Sequence, residues 1–197
     1  MYSFIDGKLS EITPAYVVLE CNGIGFHINI SLNTYQKINN LQTCKLFTYL
    51  SIKEDAHTLF GFAEVTERKL FLNLISVQGI GTNTARMMLS SMSIDEIEYA
   101  IINSDVKALQ NIKGIGLKTA QRVIIELKDK IAKDLTNKDS ILFNDDNNNI
   151  KEMALSALVT LGFSKNIAEK AINNVLKTNK EITTVEDLIK IVLKTQI

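Results

Sequence analysis

A chain of 197 residues, 46% hydrophobic and 22% charged, can bury the cores of two or three small domains and is too apolar for a disordered tail. Its 22 Lys and Arg balance 22 Asp and Glu, which speaks against a uniformly basic nucleic-acid coat. No apolar run approaches the ~18 residues that span a bilayer, so no membrane association is expected. Met1–Glu11 has neither the basic nor the apolar region of a secretory signal. Cys21 and Cys44 have no metal spacing, and the reading is two reduced thiols in the cytoplasm.

The distribution of charge says more than its total. Residues 1–63 carry four Lys and five acids, and 134–150 one Lys and four Asp. Residues 111–133 carry six basic against two acidic side chains. Positive charge is focused on one short stretch, and an acidic one follows it.

Residues 1–63 read as β. Tyr16–Glu20 is a β-branched and aromatic run, Asn22-Gly23 is a hairpin turn, and Phe26, Ile28 and Ile30 alternate with His27, Asn29 and Ser31. The alternation predicts a strand with Phe26, Ile28 and Ile30 buried and the other three wet. Leu46–Lys53 and Thr58–Phe62 form two more strands around the break Glu54-Asp55-Ala56-His57, and Pro14 falls between strands. Several short strands in so few residues predict a small barrel of the OB type, with Phe26, Phe47, Tyr49, Phe60 and Phe62 in its core.

From Glu64 the period becomes helical. Leu70, Phe71, Leu74 and Ile75 share a face, Ser93 with Glu96 makes a capping box, and Ser104 is a candidate N-cap. Residues 134–149, with Asp145-Asp146-Asn147-Asn148-Asn149, are too polar to offset their ordering entropy and are expected to form a flexible linker. Residues 150–197 read as three short helices. Gly162 ends the first, Ser164 caps the second, and Thr183 with Glu186 or Thr184 with Asp187 caps the third.

An internal repeat points to function. Leu74-Ile-Ser-Val-Gln-Gly79-Ile80-Gly81-Thr82-Asn83-Thr84-Ala85 recurs 35 positions later as Leu109-Gln-Asn-Ile-Lys-Gly114-Ile115-Gly116-Leu-Lys118-Thr119-Ala120. Each copy is helix, Gly-hydrophobic-Gly, helix: the helix-hairpin-helix pattern. The glycines allow a sharp turn and close approach of a partner to backbone. Ile80 and Ile115 anchor the hairpins in the core. The loop N–H groups and the following helix N-terminus then make an anion site suited to phosphate. Lys118 and Arg122, at i and i+4, can flank a bound DNA backbone. Such contacts carry no base information. A nucleotide-binding glycine loop is the wrong reading: Thr84 and Thr119 stand where a third glycine is needed, and a helix, not a strand, precedes each loop. The DNA-contacting set is therefore Gly79, Gly81, Thr82, Asn83, Gly114, Gly116, Lys118, Thr119 and Arg122. His27 and His57 have no metal or triad company. No catalytic residue, metal or cofactor is expected.

End to end, the chain resembles the RuvA family of Holliday junction branch migration subunits. The resemblance lies in the β domain, in Lys53-Glu54-Asp55-Ala56-His57-Thr58-Leu59-Phe60-Gly61-Phe62, in the tandem hairpins, in Leu127-Lys128-Asp129, and in the polar segment before a small helical tail. It implies an α+β multidomain fold: an OB-like barrel (1–63), a tandem helix-hairpin-helix domain (64–133), a linker (134–149) and a three-helix, ubiquitin-associated-like bundle (150–197), for which Leu161-Gly162-Phe163 is a further sign. It implies a homotetramer that holds four-way junction DNA open for recombination and repair, with Glu54 and Asp55 as an acidic pin at the crossover. It implies a RuvB motor ATPase bound through the tail and a RuvC resolvase as a further partner. Asn83 stands where the family often has lysine, which weakens the first hairpin's charge.

Two other readings are discriminated by sequence. Some DNA glycosylases place a nucleophilic lysine where Lys118 sits, but they need a downstream catalytic aspartate where this chain has Thr136. Their iron–sulfur members need four cysteines, and this chain has two. A generic double-hairpin module explains residues 64–133 but neither the acidic pair nor the tail.

Overall fold

The computed structural model describes residues 2–141, 146–178 and 184–195. The chain divides into two compact units, Met1–Lys133 and Asp134–Ile197. In the first unit, strands β1 (Phe4–Ile12), β2 (Tyr16–Cys21), β3 (Ile24–Ile30), β4 (Thr43–Ile52) and β5 (His57–Phe62) close a barrel in the order β1-β2-β3-β5-β4. All pairings are antiparallel except β3 with β5. Period-two alternation puts Val17, Leu19, Ile28, Ile30 and Leu46 in the interior, with essentially no exposure. Asn22 (φ 51°) and Gly23 (φ 84°) both take left-handed backbone, as a two-residue hairpin turn needs. Of the aromatics expected in the core, Phe60 and Phe62 are buried, while Phe26, Phe47 and Tyr49 are half-buried.

One element went unread in the sequence, and a second was marked only by Pro14 falling between strands. Strand β1 carries Asp6, Gly7, Lys8 and Glu11, too polar a run to announce itself. Helix α1 (Leu32–Ile38) is seven residues long, about two turns, too short to show a helical period. Its N-cap is Ser31, whose side chain accepts from the Thr34 N–H. Ser31 is thus buried, not on the wet face of β3 as the alternation predicted, because the strand ends at Ile30 and the chain turns inward to start the helix.

Helix α2 (Val65–Ser76) buries Leu70, Phe71 and Leu74. The Phe71 ring lies 4.8 Å from that of Phe62, 5.4 Å from Phe60 and 5.5 Å from Tyr49. Segments 1–63 and 64–133 both lie within the compact unit Met1–Lys133. Helices α3 (Thr82–Ser91), α4 (Ile94–Ile102), α5 (Val106–Gln110) and α6 (Leu117–Ile141) follow. The Ser93–Glu96 capping box opens α4 as expected. The N-cap of α5 is Asp105, not Ser104: the Asp105 carboxylate accepts from the Ala108 N–H, and Ser104 sits one residue earlier in left-handed backbone (φ 58°).

The segment 134–149 is helical at both ends, since α6 continues to Ile141 and α7 (Asp146–Thr160) begins at Asp146. Residues 117–141 hold no Gly or Pro to stop the helix; 142–145 lie outside the described residues. In the second unit α7, α8 (Lys165–Thr178) and α9 (Val185–Thr195) pack around Ala154, Leu158, Ile172, Leu188 and Val192. Gly162 (φ 102°) closes α7, with Phe163 N–H donating to the Leu158 carbonyl at 3.1 Å. Thr184 and Asp187 cap α9; the alternative cap, Thr183, lies outside the described residues.

Candidate nucleic-acid interface

The two hairpins have the same local structure at matching positions. Gly79 has φ 97° and Gly114 φ 92°. Ile80 N–H donates to the Val77 carbonyl at 3.1 Å, and Ile115 N–H to that of Ile112 at 3.1 Å. Ala85 N–H donates to the Gly81 carbonyl at 3.0 Å, and Ala120 N–H to that of Gly116 at 2.9 Å. Ile80 and Ile115 are buried and pin each loop to the core. The sign of φ explains the first glycine of each pair: an L residue with a side chain is strained there.

The second glycine has a different reason. Gly81 is the N-cap of α3 in extended backbone, φ −85° and ψ 169°, which any residue adopts. It supplies no side-chain cap, so the N–H groups of the first turn have no partner from within the helix. A Cβ built on Gly81 or Gly116 would meet nothing within 4 Å. The side of each glycine that a side chain would occupy is thus open, at the positive end of a helix dipole.

Arg122 joins the hairpins. Its Nη1 donates to the carbonyl and to Oε1 of Gln78, both at 3.1 Å, so a cation of the second hairpin reaches the loop of the first. Its Nε lies 4.0 Å from Glu126 Oε1. The side chain stays 46% exposed, which leaves donors free for an anion. Sequence spacing put Arg122 beside Lys118 but gave no sign of Gln78. Lys118 is exposed with no ion-pair partner among the described residues, and Asn83 is exposed at the equivalent place in the first copy. Thr82 and Thr119 are half-buried.

Glu54 and Asp55 are exposed at the tip of the β4–β5 hairpin. Ile52 pairs with His57, and Lys53 N–H donates to the Ala56 carbonyl at 2.9 Å. The tip is a tight turn on the β4–β5 ladder, with the two carboxylates at its apex.

Comparison with known proteins follows the same order of parts. Residues 1–61 match the family described as RuvA N terminal domain, 71–129 the SAM-like Helix-hairpin-helix tandem, and 152–195 the RuvA C-terminal domain. A Cytophaga hutchinsonii protein named Holliday junction branch migration complex subunit RuvA is 51% identical over 98% of this chain and 99% of its own. Relatives of the same name from Christiangramia forsetii and Bacteroides fragilis are 50% and 46% identical at the same coverage. The chain belongs to the RuvA family.

Within this RuvA-family frame, two further side chains tie the helices to the barrel. Arg86 points to the barrel: its Nη1 donates to the Ala15 carbonyl at 2.9 Å and to Asn29 Oδ1 at 3.0 Å. Burial lowers its pKa from the ordinary value. It is therefore turned to the barrel and not to the loop that carries Asn83. Glu67, unread in the sequence, is 1% exposed. The Ser31 hydroxyl donates to its Oε1, and that of Thr34 to its Oε2 at 2.6 Å. Burial raises its pKa against the lowering effect of those two hydroxyls. A signal existed: Glu67 lies three and four residues before Leu70 and Phe71, on the apolar stripe of α2.

Burial, with Asp6 adding, pushes the Cys44 thiol up to about 11. The Cys21 thiol is raised by burial, then by Glu20 and Asp6. Both are thus poor thiolate nucleophiles. Among the described residues no helix is long and apolar enough to cross a membrane.

Proposed function

We propose that this RuvA-family chain is a non-catalytic DNA-binding subunit of a Holliday junction branch migration complex. It binds four-way junction DNA without regard to sequence, through Gly79, Gly81, Thr82, Asn83, Gly114, Gly116, Lys118, Thr119 and Arg122. The observation that carries this reading is the pair of loops with matching backbone, φ 97° and 92°, linked by Arg122 to Gln78 in one compact unit. Two adjacent loops with outward N–H donors suit the backbone of one duplex arm.

Four such units around a crossover would grip four arms, and the hairpin tips would gather Glu54 and Asp55 at the centre. Carboxylates there repel crowded phosphates and keep strands separate while base pairs exchange. They also penalise an uninterrupted duplex across the centre. The Asp134–Ile197 unit, with its own core, acts as the module that recruits an ATP-hydrolysing RuvB motor; a RuvC resolvase shares the same junction. The setting is the cytoplasm, in homologous recombination and repair.

The test is a gel shift of a four-way junction against linear duplex of equal length, at one salt concentration. The reading expects a strong preference for the junction, unchanged when its sequence is permuted. Equal affinity for both substrates would overturn it.

A further inference from the structure

Two polar side chains outside the DNA-contacting set connect the first hairpin to the strand that carries the acidic turn. Helix α3 begins at Thr82, directly after Gly81, and Arg86 lies four residues further, one turn along the same face. Its Nη1 donates to the Ala15 carbonyl and to Asn29 Oδ1. The Ala15 carbonyl also accepts from the Ile30 N–H at 3.1 Å, so the guanidinium is seated on backbone that β3 already holds. The Asn29 amide is engaged at its other end as well: Nδ2 donates to the Leu59 carbonyl at 3.3 Å. Leu59 belongs to β5, two residues past His57, which pairs with Ile52 at the foot of the Glu54-Asp55 turn. A continuous path of hydrogen bonds thus runs from α3 through Arg86 and Asn29 to β5 and its turn.

The path crosses the barrel at its parallel seam. There β3 and β5 meet only at Ile28, Asn29 and Ile30, against Leu59, Phe60 and Gly61. At its far end α3 is fixed separately to α1: the Leu32 N–H donates to Ser90 Oγ at 3.1 Å, and Asn33 Nδ2 to the Met92 carbonyl at 3.0 Å. Arg86 ties down the other end, close to Gly81 and Thr82. It has no carboxylate partner among the described residues and is half-buried on neutral oxygens. A guanidinium placed so gains no ion-pair energy. What it provides is the orientation of the helix that carries it.

We infer that Arg86 and Asn29 are positioning residues for junction recognition: without touching DNA, they hold the phosphate-receiving start of α3 at a set distance and angle from the Glu54-Asp55 turn. The inference rests on the roles proposed for the hairpins and for that turn. In that arrangement a junction lets the hairpins hold its arms while the carboxylates sit at the open crossover. An uninterrupted duplex on the same hairpins runs against the carboxylates. Selectivity then depends on the spacing between two sites, and a link that fixes the spacing sets the selectivity.

The experiment measures junction and linear-duplex affinities by fluorescence anisotropy over a range of salt, with thermal unfolding of each full-length protein. The proteins are the parent, Arg86→Met, Arg86→Lys, Asn29→Asp, Glu54→Gln/Asp55→Asn, and the last combined with Arg86→Met. Arg86→Met keeps the apolar stem and removes the donors. It should lose about tenfold in the ratio of junction to duplex affinity, with the parent's salt slope. Arg86→Lys can still donate to both oxygens and should keep the ratio within about threefold of the parent. Asn29→Asp keeps an acceptor for Arg86 but loses the donor to Leu59, so its ratio should fall although its contact with Arg86 becomes an ion pair. With the turn neutralised, Arg86→Met should change the ratio no further, because both act through one geometry.

An Arg86→Met protein with the parent's ratio, whatever its melting temperature, would make Arg86 a contact of the fold alone and overturn the inference. Lower affinity for both substrates with a salt slope flatter by about one unit would place Arg86 on phosphate and overturn it too. Losses that multiply in the combined variant would show Arg86 and the turn acting separately, and the inference would fail. If Arg86→Met does not fold, Asn29→Asp decides: an unchanged ratio there refutes the link. A neutralised turn that keeps the parent's ratio removes the acidic-turn reading and this inference with it. A ratio that falls on neutralising the turn but not in Arg86→Met removes the inference alone.

Discussion

Valine substitutions at the four hairpin glycines separate phosphate binding from folding, because the two glycines of each loop are there for different reasons. Gly79 and Gly114 have positive φ, and a β-branched residue there carries strain of about 1–3 kcal/mol. Gly81 lies in extended backbone, and both Gly81 and Gly116 face space with no atom within 4 Å of a built Cβ. Replacing glycine at such a helix start costs under about 1 kcal/mol. The bound state is another matter. A phosphate at the first turn accepts charge-assisted hydrogen bonds worth about 1.5–3 kcal/mol each. A valine side chain at the point of approach that forfeits one of them weakens binding about tenfold to a hundredfold, at about 1.4 kcal/mol per decade. Gly116→Val is therefore expected to unfold near the parent temperature and to lose one to two decades in junction affinity. Gly114→Val is expected to lose both stability and affinity. The assay is fluorescence anisotropy with a labelled four-way junction at fixed salt, paired with thermal unfolding. A Gly116→Val protein that binds like the parent would refute the claim that DNA approaches this backbone; one as unstable as Gly114→Val would refute the reasoning about φ.

Other outcomes follow from the same geometry. Lys118→Ala should weaken binding to junctions of any sequence and flatten the dependence of log K on log salt by about one unit for each phosphate no longer neutralised; an unchanged slope would remove Lys118 from the interface. Glu54→Gln with Asp55→Asn keeps size and removes charge, so duplex affinity should rise, junction selectivity fall and migration rate change without loss of barrel stability, as read by parallel gel shifts and a strand-exchange assay. Deleting 150–197 should spare junction binding and abolish stimulation of the motor ATPase; continued branch migration by the truncated protein would refute the tail's role. Burial raises the Glu67 pKa above its ordinary 4.5. The native state then holds this proton more tightly than the unfolded chain, so its contribution is fully present below 4.5 and is lost as pH rises through the folded value. The stability of the parent relative to Glu67→Gln should therefore be highest in acid and fall towards neutral pH, measured by thermal unfolding at several pH values; a difference independent of pH would show that Glu67 does not titrate with folding.

Local pattern was enough for some of this architecture. The β-branched run at Tyr16–Glu20, the alternation at Phe26–Ile30, the Asn22-Gly23 turn, the capping box at Ser93 and the duplicated Gly-Ile-Gly loops are each specified by residues a few positions apart, so their backbone consequences are legible without a fold. The loops above all were readable, because a glycine in left-handed backbone ahead of a helix is a local constraint. Whatever depends on residues far apart in the chain waited for the packed molecule. Strand β1 has a weak pattern of its own and exists because β2 and β4 pair with it on both sides. Ser31 and Glu67, 36 positions apart, are buried together only because α2 packs on the barrel. The directions of the two arginines were equally hidden: Arg86 turns to Ala15 and Asn29 in the barrel, and Arg122 to Gln78 in the other hairpin. A long flexible side chain has several low-energy rotamers, and only the partner that packing brings within reach selects among them.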